Sequence, residues 1–210
     1  MTPSHEEKLF RWATQLPDTL WNDLKNRPPA ESAETTGATW DGKVFSISLL
    51  GKGYQVHPSE KIIFRDGEKD APVNYQTGVV LLNTLSFSKG VPPSGRMTVP
   101  QDLPGGRMFF VGAHALETGA LATAFSENPD SFIKQMVDMG GEKIDGADAA
   151  FRIPGLPFVP LYVLLWHKEA DAPARAVIGI DDRAHFHLDL ASVFALTNVL
   201  VYRLCGLYRV

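Results

Sequence analysis

The chain has 210 residues, 44% of them hydrophobic and 21% charged, which supplies the apolar material for a packed core and excludes disordered, collagen-like and coiled-coil classes. The 20 Lys and Arg stand against 24 Asp and Glu, a formal charge of -4, so the basic footprint that nucleic acid or anionic lipid would need is missing. No nucleic-acid or membrane partner is therefore expected. Cys205 is the only cysteine, which excludes an internal disulfide, a thiolate zinc site and a self-supplied iron-sulfur cluster.

Met1 to Lys8 carries Glu6 and Glu7 where a signal peptide would need basic residues and then an apolar run, so a cytoplasmic chain is expected. Ser4-His5-Glu6-Glu7 has the form of a capping box ahead of Leu9, Trp12, Ala13 and Leu16, which share a helical face. Leu20, Trp21 and Leu24 predict a second short helix ending near Asn26, and the Pro-, Glu- and Thr-rich stretch from Arg27 to Thr36 reads as a polar connection. Alternation in 44–49, a turn at Gly51-Lys52-Gly53, and the runs 54–56 and 62–64 predict a three-stranded meander. Val79, Val80, Leu82, Leu85 and Phe87 predict a buried helix that ends at Gly90.

A turn at 102–106 reads as feeding a strand at 107–111, and two helices follow at 116–125 and 131–139. Strands are predicted at 149–153, 161–167 and 176–180, then a segment through His185, Phe186 and His187, then a buried C-terminal helix from Leu190. The uncharged run 190–202 is too short, at ~1.5 Å per residue, for a hydrocarbon core of ~30 Å. Strands and helices are grouped instead of alternating, which points to an α+β fold with a mainly antiparallel sheet. The expected organisation is a single domain over 1–210, with a helical arm at 1–27, a β-meander at 38–66 and an α+β body at 72–210.

Landmarks in a fixed order accompany these elements: Leu50-Gly51-Lys52-Gly53-Tyr54, Pro92-Pro93-Ser94-Gly95, Leu103-Pro104-Gly105-Gly106, Gly140-Gly141-Glu142, Asp148-Ala149-Ala150-Phe151, Leu156-Pro157-Phe158-Val159-Pro160, Trp166, Asp181 and Leu188. In order and spacing they resemble the bacterial and archaeal family known as domain of unknown function 3786, found mostly in anaerobes. The resemblance supplies no catalytic assignment. It implies a cofactor-handling role, because some relatives carry an iron-sulfur domain similar to one in corrinoid proteins. Phe158, Asp102 and Ala172 depart from the family pattern, where arginine, glutamate and an aromatic residue are usual.

Two constellations carry possible chemistry. In an extended segment His185, His187 and Asp189 would face one way and offer two imidazoles and a carboxylate to zinc, nickel or iron, with Asp181 or His167 completing the set. The competing reading makes Asp189 the N-cap of the last helix and leaves the histidines in solvent. Asp102, Arg107, Trp166 and Asp181 occur at ends of predicted strands and loops, where a concave ligand site could gather them. Ser86-x-x-Lys89 and Ser131-x-x-Lys134 lack the partner motifs of a serine hydrolase, and no P-loop or dinucleotide fingerprint is present. These features favour an accessory module that binds a small molecule, a cofactor or a cofactor-carrying protein in anaerobic metabolism. The alternative is a metal-dependent enzyme using the His/Asp site for hydrolytic chemistry.

Overall fold

A computed structural model describes residues 11–69 and 71–206. The capping box at 4–7 lies outside them, and of the first predicted helix only a 3-10 turn, Ala13–Gln15, is described. Helix α1 (Asp18–Asn26) buries Trp21 and Leu24, as their spacing predicts. Helix α2 (Pro29–Thr36) replaces the expected polar connection. Pro29 opens it and Gly37 closes it in the left-handed region, but its buried face consists of Ser32 and Thr36, so hydrophobic periodicity carried no sign of it.

The meander forms as expected, with one short strand added. Strands β1 (Thr39–Trp40), β2 (Phe45–Leu49), β3 (Lys52–His57) and β4 (Ile62–Arg65) make an antiparallel sheet in chain order. The β2–β3 turn is unusual because Leu50 (φ 51°) and Gly51 (φ 73°) are both left-handed, the pattern of a type I′ hairpin with a leucine in a place that disfavours side chains. Leu50 is fully buried; its N–H donates to the Gly155 carbonyl at 2.8 Å and its carbonyl accepts from Arg203 at 2.7 Å.

Helix α3 (Tyr75–Phe87), capped by the Asn74 side chain, is the predicted buried helix. Strand β5 (Met97–Thr98) had no sequence signal. The strand expected at 107–111 is instead helix α4 (Gly106–Phe109). Its aromatic residues suit a strand, yet Gly105 is left-handed and Gly106 packs against the Pro100 carbonyl, which coils the chain before any strand can pair. Helices α5 (Thr118–Phe125) and α6 (Pro129–Asp138) follow. Strands β6 (Glu142–Lys143), β7 (Ala149–Leu156), β8 (Val159–Trp166) and β9 (Arg175–Asp181) join β5 in a second antiparallel sheet, ordered β5-β9-β8-β7-β6. The segment expected to be extended at 185–187 is a 3-10 turn, Ala184–Phe186, whose period of three removes the shared face of alternate residues.

Helix α7 (Leu190–Leu204) packs along α3 and buries Val193, Leu196, Leu200 and Leu204. A contiguous core draws on both sheets, with Phe45 and Ile47 from the first and Ile153 and Leu161 from the second. The architecture is α+β with antiparallel sheets, as the grouping of elements predicts. No described helix is long and apolar enough to cross a membrane.

Candidate functional site

Asp181, at the end of β9, is fully buried and accepts the backbone N–H groups of Ser94 (3.1 Å), Gly95 (2.8 Å) and Arg183 (3.0 Å). Its carboxylate thus clamps the Pro-Pro-Ser-Gly loop onto the sheet. Next to it, Asp182 accepts the Ser94 hydroxyl at 2.6 Å and pairs with Arg96, contacts that hold its carboxyl below the usual range.

The three residues expected to bind a metal have separate local partners. His185 is exposed, with Nδ1 3.0 Å from the Asp182 carbonyl. His187 is buried; Nδ1 lies 2.7 Å from Ser88 Oγ, Nε2 lies 2.9 Å from the Val91 carbonyl, and Phe158 stacks on the ring. Asp189 caps α7 by accepting the Ser192 N–H at 2.7 Å, while its second oxygen accepts from Asn83. Among the described residues no three His, Cys, Asp or Glu side chains group to hold a metal.

Ser88 and His187 form a hydroxyl–imidazole pair that chain order did not suggest. Ser88 is only 1% exposed and also donates to the Thr35 carbonyl at 2.5 Å, so the pair ties α2, α3 and the 184–187 turn together instead of presenting a nucleophile. The proton count is tight. One hydroxyl hydrogen cannot serve both Thr35 and Nδ1, so only the imidazolium gives every contact a hydrogen. Burial opposes that charge and pushes the His187 pKa down, against the smaller upward effects of the Val91 carbonyl and Asp181.

Of the four residues expected to line a ligand site, the structure brings Asp102 and Arg107 together. They form an exposed ion pair at 3.1 Å that joins the 3-10 turn Pro100–Asp102 to the first turn of α4. Trp166 lies opposite Arg175, whose guanidinium sits 3.9 Å from the indole centroid, whereas Asp181 pairs with Met97 at the other end of β9. At ~3.3 Å per residue this separates Trp166 from Asp181 by roughly 20 Å along the sheet, so the two do not share a concavity.

A different group of residues forms an aromatic cavity of about 270 Å³, lined by Trp12, Tyr54, Arg65, Pro72, Tyr202 and Arg203 among others. Trp12 is set by a bridge to Asn74, Tyr54 comes from β3, and Tyr202 and Arg203 come from the last turn of α7. Arg203 donates to the Leu50 carbonyl and, at 3.2 Å, to the Tyr54 hydroxyl. A guanidinium has five N–H groups, so donors remain for a ligand. Arg65 is engaged by Glu68. A wider hollow of about 640 Å³ lies between α1, α2 and the end of α3, but Arg27 there already donates to the Leu85 and Ser88 carbonyls and Thr35 Oγ1. Sequence reasoning missed the aromatic cavity because its members come from both ends of the chain. The one local signal was Tyr54 in the Lys-Gly-Tyr turn.

The chain matches no curated protein and no solved structure. Residues 28–203 match the family described as Domain of unknown function (DUF3786), a stretch that takes in both sheets and helices α2 to α6 whole, and the chain belongs to that family.

Proposed function

We propose that the chain is an accessory binding module, in the anaerobic setting that the family resemblance implies, and that its ligand is a small planar molecule with an acidic edge. The observation that carries this reading is Arg203, a cation with donors to spare on the wall of a cavity that Trp12, Tyr54 and Tyr202 also line and in which the Glu68 carboxylate is already paired with Arg65. Aromatic walls favour a flat ring, and a guanidinium pairs well with a carboxylate or phosphate. At about 270 Å³ the cavity falls just below the ~300–1,000 Å³ range of ligand pockets, which suits a single ring system and is too small for a tetrapyrrole macrocycle. Binding is favoured over metal-dependent hydrolysis because His187 and Asp189 spend their polar atoms on Ser88, Val91, Ser192 and Asn83.

The test is retention of small molecules. Protein purified anaerobically is passed through a desalting column with a panel of aromatic carboxylic acids and mononucleotides, and the retained compounds are identified by mass spectrometry. At least one compound is expected to stay with the native chain and to be lost from the Trp12→Ala and Arg203→Met variants. Retention of nothing, or equal retention by the variants, would overturn the reading.

A further inference from the structure

Tyr54 on β3 and Arg65 on β4 stand opposite each other in the antiparallel register, so their side chains leave the sheet side by side on one face. Arg203 reaches the Tyr54 hydroxyl from α7 at 3.2 Å. Both guanidiniums therefore border the aromatic cavity next to the same phenol, one from the sheet and one from the helix. Glu68 lines the cavity too. The chain turns tightly from Arg65 to Glu68: the Glu68 N–H donates to the Arg65 carbonyl at 2.9 Å and Gly67 is left-handed at φ 77°. This turn lays the Glu68 carboxylate against the Arg65 guanidinium.

Arg65 is thus matched by a carboxylate. Arg203 donates to a carbonyl and a hydroxyl, both neutral, and pairs with no carboxylate among the described residues. The charged side chains on the described wall are these two guanidiniums and the one carboxylate, so a single positive charge is left over. We infer that Glu68 sets the charge of the ligand: it cancels Arg65, so that the cavity takes aromatic acids with one negative charge, such as carboxylates, and discriminates against phosphate monoesters. This rests on the reading of the cavity as a site for a planar acid and names which acid. A phosphate monoester carries close to two charges at neutral pH. Its second charge would be drawn to Arg65 and repelled by Glu68 beside it, so the gain nearly cancels while the cost of stripping water from a dianion remains. The Arg65–Glu68 pair is itself too exposed to hold the fold together, with side chains 39% and 44% accessible. The place of Glu68 on the cavity wall, more than the strength of its ion pair, gives it a role.

Three probes built on one phenyl ring separate charge from shape: benzoate, phenyl phosphate, and phenyl methyl phosphate, which keeps the tetrahedral group but carries a single charge. Each is titrated at pH 7.5 into the native chain and into a Glu68→Gln variant, with binding followed by ligand-observed NMR. The native chain is expected to bind benzoate and phenyl methyl phosphate about tenfold more tightly than phenyl phosphate. Glu68→Gln keeps the size of the side chain and the backbone turn, and in it phenyl phosphate should gain about tenfold while the two monoanions gain much less. The native ranking decides by itself if the variant does not fold. The same ranking of the probes by both chains, a native preference for phenyl phosphate, or a methyl ester that binds as weakly as phenyl phosphate would overturn the role of Glu68 and leave the cavity as a ligand site. Binding of no probe, or binding unchanged by Trp12→Ala and Arg203→Met, would overturn the reading of the cavity and the inference with it.

Discussion

At the His187 ring, burial and hydrogen bonding pull the protonation state in opposite directions, and burial is the larger effect. The unfolded chain titrates this histidine near ~6.5, whereas the folded chain does so lower. Between the two values the unfolded state binds more protons, so this residue's contribution to stability is complete above about pH 6.5 and falls as the pH drops through the folded value. Urea midpoints at pH 7.5 and 5.5 should show that loss, and a His187→Asn variant should start lower but lose less between the two. Its tie to Ser88 was illegible in the sequence because the two residues come from distant segments and the pair forms only when the turn after β9 meets the end of α3. Gly51 is the opposite case, a turn glycine that sequence pattern marked directly. With φ at 73° and a Cβ that would lie 2.9 Å from the Met139 carbonyl, Gly51→Ala should cost at least ~1–3 kcal/mol, read as a lowered denaturant midpoint.

Helix α7 shows which parts of an element can be read from a sequence. Asp189 as N-cap follows from residue type and position, and Asp189→Ala should cost ~1 kcal/mol, somewhat more where Asn83 also loses its acceptor. The apolar residues around the helix predict burial on most sides, yet Phe194 is half-buried, its edge contact being with the exposed His114 ring. Phe194→Ala should therefore fall below the ~3–5 kcal/mol of a fully buried ring, while Leu196→Ala, at a fully buried position, should cost ~2–5 kcal/mol in the same melts. Helix α2 went unread because polar groups fill its buried face, and α4 was misread because strand-forming residues there meet no strand. In both cases tertiary surroundings override local preference. The candidate ligand site was legible only at Tyr54, since Trp12 and Arg203 acquire meaning when the two ends of the chain meet.

For the molecule as a whole, the two sheets share one core, and the Leu50 backbone is bonded to the second sheet through its N–H to Gly155 and to α7 through its carbonyl to Arg203. Unfolding should accordingly be a single transition, with far-ultraviolet circular dichroism and tryptophan fluorescence giving one midpoint. Two separated midpoints would mean that the meander melts on its own. The grouping of strands and helices was enough to read the α+β class from sequence. The division into two sheets was not, because it depends on where β5 and β6, two residues each, find their partners.

Hairpin tips are ordinarily where a protein accepts extra residues, a reporter peptide or a protease site without complaint. At the Leu50-Gly51 tip Gly51 is exposed, but Leu50 is fully buried and its N–H and C=O tie the hairpin to the second sheet and to α7, so the tip offers no such freedom. The neighbouring turn at Gly42 is exposed and has open space around it. A short epitope inserted after Gly42 should leave the melting temperature nearly unchanged, while the same epitope after Gly51 should yield insoluble chain. Two tips of one small sheet would thus differ in their capacity to diverge, one open to change in length and the other held to its present size.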